Sequence, residues 1–226
     1  MNTGAHVAVA AALPTGAGTR EAWLLGAALP DLATYVQLRL LGTTPDPGVR
    51  AGITFHYRTD DAFHRHPWFL GHQRRLIDAL VAAGFARGPA LACGHVGVEL
   101  LLDGILLADS AAYEANRTAF GAIAGLRDAL EPLVEAKHRD RWVAHLDRLA
   151  TWTGPADLDD PAAIASRLWR VVADRPRLAF AAVQKRPLAR ALADLQPSVA
   201  ATAEGFVAEL LAELADDELA TDGLVS

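Results

Sequence analysis

The sequence predicts an all-α protein, a single-domain helical bundle. Ala and Leu supply 80 of the 226 residues, Ile occurs five times and aromatics make up 7%. Good helix formers therefore dominate over the residues that strands favour. Pro and Gly cut the chain into helix-length pieces. One cysteine, Cys93, excludes an internal disulfide framework and a Cys-rich zinc ribbon. At 52% hydrophobic residues and this length, the chain can bury a sizeable core without either.

The elements follow from that punctuation. An apolar run predicts a helix over 4–12. Pro30 divides the next apolar stretch into 20–29 and 31–41, with Asp31 as the N-cap of the second. The loop GTTPDPG at 42–48 precedes a helix over 48–64, and Pro67 precedes one over 68–83. Helices over 88–107, 109–123 and 126–151 follow, then the loop TWTGPADLDD at 151–160. Asp160 and Pro161 pair a cap with a first-turn proline and open a helix over 160–173. Pro197 separates 178–194 from 197–216. The domain is expected over 1–215, and the polar tail 216–226 is expected to fray.

Charge narrows the function classes. The 21 basic and 27 acidic residues give −6, which argues against a general nucleic-acid binder. The 19 Arg against two Lys fit a GC-rich coding sequence. The charge is uneven: 175–190 carries Arg175, Arg177, Lys185, Arg186 and Arg190 and no acid, whereas every charge after Glu204 is acidic. These are either two solvated helix faces or, for the basic one, a site for phosphate or an acidic partner. The run 5–13 has no preceding Lys or Arg and contains His6, unlike a signal peptide. The apolar stretch 91–108 contains His95, Glu99 and Asp103, which a membrane span tolerates only at high cost. A cytoplasmic protein with no membrane span is expected.

Five of the eight histidines fall between 56 and 95. In FHYRTDDAFHRHP, His56, Asp60 and His64 are four apart, and in GHVGVELLLD so are His95, Glu99 and Asp103. A step of four turns a helical side chain by about 40°, so each triad is a stripe. Two facing stripes would gather nitrogen and oxygen ligands suited to zinc, manganese or iron. Glu99 and Asp103 sit among Val98, Leu100, Leu101, Leu102, Ile105 and Leu106. Carboxylates buried there need a metal, a proton or a cation. The ordinary alternative pairs them with Arg58 or Arg74 in a buried network, with His56 and His95 as hydrogen-bonded core residues. His6, in AHVAVAAA, and Asp31, in WLLGAALPDL, are further ligand candidates, because helical metal sites draw on several helices.

These segments resemble a known family. MNTGAHVAVA is similar to the opening of the acyl carrier protein phosphodiesterases, which are related to HD-domain metallohydrolases. LLGAALPDL resembles that family's Asp segment at Asp31. VRAGITFHYRTD resembles its His and Asp motif at His56 and Asp60, and VELLLDGIL its two-carboxylate helix at Glu99 and Asp103. RPRL at 175–178 resembles a basic motif near its C-terminus. The chain departs from the pattern at His64, where the family has Asp, and at Gly104, where it has His; His95 is an addition. LLGAALPDL is also similar to a segment of the zinc-dependent phospholipase C family, another all-helical metal-binding fold.

The resemblance implies an HD-domain-like helical fold and phosphodiester hydrolysis: release of phosphopantetheine from an acidic carrier protein, with a divalent ion, manganese before zinc or iron. Together with the four-residue spacing, which alone supplies His95, it gives His6, Asp31, His56, Asp60, His95, Glu99 and Asp103 as the metal-binding set. Asp60, His64 and Glu99 are the catalytic candidates, the last two as general base, and Arg58 and Arg175 are the candidates for the phosphate. A metal-dependent phosphohydrolase of the phospholipase C type, or a helical protein that has lost the site at Gly104, are the alternatives.

Overall fold

The computed structural model describes residues 1–15, 17–41, 43–151 and 157–222, with side chains up to residue 215. Among these residues there are ten α-helices and no strand, as the composition predicts. They are α1 (Thr3–Ala11), α2 (Arg20–Tyr35), α3 (Pro47–Arg65), α4 (Pro67–Ala82), α5 (Arg87–Leu106), α6 (Ser110–Gly121), α7 (Arg127–Leu130), α8 (Arg139–Ala150), α9 (Pro161–Val172) and α10 (Lys185–Asp222). The chain divides into two compact units. Met1–Asp61 and Leu106–Gly154 form the first, Ala62–Ile105 and Pro155–Ser226 the second.

In the first unit α1 packs against α2 and α6, and α2 also packs against α6. The small side chains of α1 admit neighbours on nearly every side, and seven of its nine residues are buried. Its C-terminal carbonyls are capped from α2, where Arg20 donates to the carbonyls of Ala11 and Leu13. Residues 20–29 and 31–41, expected as two helices, are instead one helix that ends at Tyr35. Pro30 lacks the N–H that would bond the Gly26 carbonyl, a defect of about 3 kcal/mol. The buried row Leu25, Leu29, Leu32 and Ala33 runs through it, and each buried leucine contributes about 1.5–3 kcal/mol. Asp31 is therefore inside a helix and caps nothing.

α2 and α3 cross with backbones in contact. A Cβ on Gly26 would stand 2.4 Å from the Val49 carbonyl oxygen, and one on Gly52 2.3 Å from that of Trp23. Only glycine fits either place. The helix expected over 126–151 is broken. α7 gives way at Pro132 to two short 3-10 turns, Glu131–Leu133 and Ala136–His138, before α8 begins. Pro132 has no N–H to continue the ladder. Trp142 of α8 anchors the broken segment, donating from Nε1 to the Leu130 carbonyl at 2.9 Å.

In the second unit α10 packs against α4 and α9. Asp160 caps α9 as predicted, accepting from the Ala162 N–H at 2.8 Å. Pro197 does not separate two helices: α10 is continuous from Lys185 to Asp222. Leu188, Leu192, Leu195, Val199, Ala203, Phe206, Leu210 and Leu214 are all buried. Their spacing of three and four is unbroken across the proline, so one apolar face carries the helix through it. Residues 178–184 are turns and a 3-10 segment rather than helix. The backbone stays helical to Asp222 where fraying was expected; the side chains of the tail from 216, and residues 223–226, lie outside the described residues.

By length and composition α5 is apolar enough to cross a membrane, but 61% of that stretch is buried inside the fold. It is thin where it is packed. A Cβ on Gly94 would stand 2.4 Å from Ile77 Cγ1 of α4, and one on Gly97 3.2 Å from Leu192 Cδ2 of α10. Cys93 is fully buried here, and burial pushes its thiol up to about 12.

Candidate functional site

The candidate ligands gather into two trios, one in each unit: His6, His56 and Asp60 in the first, His64, His95 and Glu99 in the second. The first takes its three members from α1 and α3, and α2 supports it with a carbonyl. The Gly26–Gly52 crossing brings α3 against α2, so that His56 Nδ1 donates to the Ala27 carbonyl at 2.8 Å. A carbonyl only accepts, so Nδ1 carries the ring proton and Nε2 presents its lone pair. His6, on α1, stacks on His56 with ring centroids 3.8 Å apart. Its Nδ1 lies 2.9 Å from Thr59 Oγ1, whose own proton serves the carbonyls of Phe55 and His56 at 3.0 and 2.9 Å. Thr59 thus accepts from Nδ1, which leaves the lone pair of His6 on Nε2.

That nitrogen is the clearest pointer to an ion. His6 is 0% exposed, and its Nε2 has no hydrogen-bond partner. The nearest carboxylate oxygen, Asp60 Oδ1, is 3.5 Å away and also receives the Met1 amino group at 2.7 Å. Burial, and then the neighbouring His56, hold the His6 imidazole well below its ordinary value, so it is neutral and able to ligate near pH 7. The three ligand atoms lie within 4.8 Å of one another. Asp31 lies beside them, its Oδ1 3.9 Å from His56 Nε2 and its Oδ2 accepting from Thr3 at 3.4 Å. Two imidazole nitrogens with one or two carboxylates suit manganese, iron or zinc.

The second trio is tighter. His64 Nε2, His95 Nε2 and Glu99 Oε1 form a triangle with edges of 3.1, 3.2 and 3.2 Å. Tetrahedral ligands at about 2.0–2.1 Å from one ion stand about 3.3–3.4 Å apart, so the triangle already has nearly the right size. Burial pushes the Glu99 carboxyl up, but the hydrogen bonds with His64 and His95 outweigh it and hold the group well below the usual carboxylate range. Gln73 of α4 holds His95, with its amide nitrogen 3.1 Å from Nδ1. Turning that amide over offers its oxygen instead; the ring can then carry its proton on Nδ1 and free Nε2 for an ion.

The stripes are therefore shared out differently from the expected face-to-face pair. His56 and Asp60 of α3 meet His6, and His64 of the same stripe meets His95 and Glu99. Asp103, one turn beyond Glu99, is buried but supplies no atom to either trio among the described residues. Arg58 is half-buried on α3, and Arg175 is exposed in the turn after α9. Arg74 lies on the surface 4.0 Å from Asp78, so it does not neutralise Glu99 or Asp103. His72 is the kind of satisfied core histidine that the ordinary reading describes, with Nδ1 at 2.8 Å from the Trp68 carbonyl and Nε2 at 3.3 Å from Ser198. Gly104 cannot be the histidine of the family pattern: a Cβ there would stand 2.2 Å from the Leu158 carbonyl oxygen.

Thr59, Gln73 and the Ala27 carbonyl went unread in the sequence. Only Thr59, adjacent to Asp60 and three residues after His56, carried a positional hint. Nor did the sequence point to Arg39 and Tyr57, which line a pocket of ≈ 330 Å³ with Asp31, His56 and Asp60. No protein-family model matches the chain, and no curated protein or solved structure is significantly similar to it.

Proposed function

We propose that the chain is a cytoplasmic, metal-dependent phosphodiester hydrolase. The observation that carries this reading is the bare, fully buried Nε2 of His6, stacked on His56 and facing Asp60. His6, His56 and Asp60 would hold the first ion, with Asp31 beside it; the mixed nitrogen and oxygen set accepts manganese, zinc or iron, and the family resemblance puts manganese first. A divalent ion bound there supplies Lewis acidity, acidifying water and neutralising phosphoryl charge. Asp31, in the pocket wall, takes the proton of the attacking water and returns it to the leaving oxygen. One P–O bond forms from water and one breaks. The base candidates Glu99 and His64 belong to the second trio, where the reading places a second ion.

The resemblance to the acyl carrier protein phosphodiesterases suggests the substrate, a phosphodiester joining phosphopantetheine to a carrier-protein serine. The leaving oxygen is then that of the serine. A carrier protein is acidic, and the second unit offers it a groove of ≈ 480 Å³ lined by Ala79, Ala83, Arg186, Arg190 and Asp194, two cations against one carboxylate.

Two substrates test the reading. The manganese-loaded protein is expected to hydrolyse a holo carrier protein, and chelation to lower the rate roughly 100-fold or more. Replacing Arg186 and Arg190 together by Glu should raise KM for the carrier protein and leave metal content and turnover of bis-p-nitrophenyl phosphate unchanged. Turnover of the small diester without carrier-protein activity would move the substrate to the phospholipase C class. A loaded protein inert toward both would refute the hydrolase.

A further inference from the structure

The pocket above the first trio contains a cation that neither the ligand pattern nor the family resemblance marks. α2 ends in a tight reversal. Gln37 takes the left-handed conformation at φ 54°, and the N–H groups of Gln37 and Leu38 bond back to the carbonyls of Thr34 and Ala33, both at 2.9 Å. Leu38 is buried by this turn at 6% exposure. Arg39, next in the chain, emerges in the wall of the ≈ 330 Å³ pocket that Asp31, His56 and Asp60 also line.

Among the described lining residues Arg39 is the one guanidinium, and it shares the pocket with two carboxylates. Yet among the described residues its side chain makes no hydrogen bond or ion pair with either of them. With an ion on the trio, the carboxylate charge is taken up on the metal side of the pocket. Arg39, exposed to solvent on that pocket's wall, is then the cation left for the group that the ion activates. A guanidinium forks onto two oxygens of a phosphate, and its charge shortens and strengthens both bonds. Tyr57, half exposed on the same wall, adds a phenol. The volume is at the small end for ligand pockets, which suits a phosphate ester group rather than a whole nucleotide.

We infer that Arg39 binds the non-bridging phosphate oxygens of the substrate in this pocket, in place of the sequence candidates Arg58 and Arg175, neither of which lines it. The inference rests on the metal reading of the first trio.

The test is the binding of inorganic phosphate to the full chain loaded with manganese, by titration calorimetry, for the wild type, Arg39→Ala and Arg39→Lys. Metal content is measured in parallel by plasma mass spectrometry. The alanine variant is expected to bind phosphate about 10- to 100-fold more weakly, with metal content unchanged. The lysine variant should fall between, because it keeps the charge and loses the fork. Phosphate binding by Arg39→Ala within twofold of wild type overturns the assignment and leaves the metal reading standing. So does loss of metal and phosphate together in that variant, which would make Arg39 a structural residue. A wild type that takes up no manganese overturns the metal reading, and this inference with it.

Discussion

Replacing His6 by Ala is expected to reduce the metal content by one ion per chain. The wild type, equilibrated with manganese and freed of excess, should carry two ions, and His6→Ala and Glu99→Ala one each. The double variant should carry none. The reason lies in the donor chemistry. His6 Nε2 is fully buried with no hydrogen-bond partner, so truncation removes a ligand that nothing nearby replaces. Thr59→Val is the gentler companion. It keeps the side-chain shape but removes the oxygen that accepts from His6 Nδ1 at 2.9 Å, and outer-shell losses of this kind weaken metal binding about 10- to 100-fold. The ions should also stabilise the fold: at a free concentration 100 times Kd each adds about 2.7 kcal/mol. Chelation should therefore lower the Tm of the wild type and leave that of the double variant unmoved. Unaltered metal content in His6→Ala, by plasma mass spectrometry on protein that still folds, would remove the first trio as a metal centre.

The second large effect is on stability, and its sign is diagnostic. Glycine to alanine inside a helix ordinarily stabilises by about 1 kcal/mol. Gly71→Ala on α4 should do so, since an added Cβ there meets nothing within 4 Å. Gly52→Ala should do the opposite. Its Cβ would lie 2.3 Å from the Trp23 oxygen, 2.7 Å from Gly26 Cα and 2.8 Å from the Ala27 nitrogen, all backbone atoms that cannot rotate away. The helices must part, at a cost of about 3 kcal/mol, or a Tm lower by about 6–12 °C for a chain of this size. Parting them also stretches the 2.8 Å bond from His56 Nδ1 to Ala27, so metal affinity should fall in the same variant. Thermal melts in which both variants move the same way would refute this account of the crossing.

The helical class and most of the candidate metal ligands were legible because they depend on local quantities, composition and a spacing of four. The way they are shared out was not. A step of eight from His56 to His64 turns the side chain by about 80°, so one stripe on paper serves two neighbours in the fold. The third member of the first trio, His6, is some fifty positions away from its partners in the chain, and only packing joins them. Two prolines misled the reading of boundaries for a common reason. At Pro30 and Pro197 the lost hydrogen bond is a fixed local penalty, whereas the buried row through each is a tertiary gain that a residue-by-residue reading undercounts. The unbroken spacing from Leu188 to Leu214 was visible and outweighs the single proline within it. Arg39 was hidden for a different reason. It lies on a turn whose reversal depends on Gln37 adopting a conformation that side chains other than glycine rarely take.

The burial of Cys93 has a practical corollary. A thiol held at about 12 and closed off from solvent is almost entirely un-ionised at neutral pH and presents no thiolate to an electrophile. The native chain is in effect a cysteine-free background for chemical labelling. A maleimide dye or spin label aimed at a cysteine engineered on the surface will find that residue alone while the protein stays folded. Slow modification of Cys93 itself then becomes a clock for the opening of the α5 core.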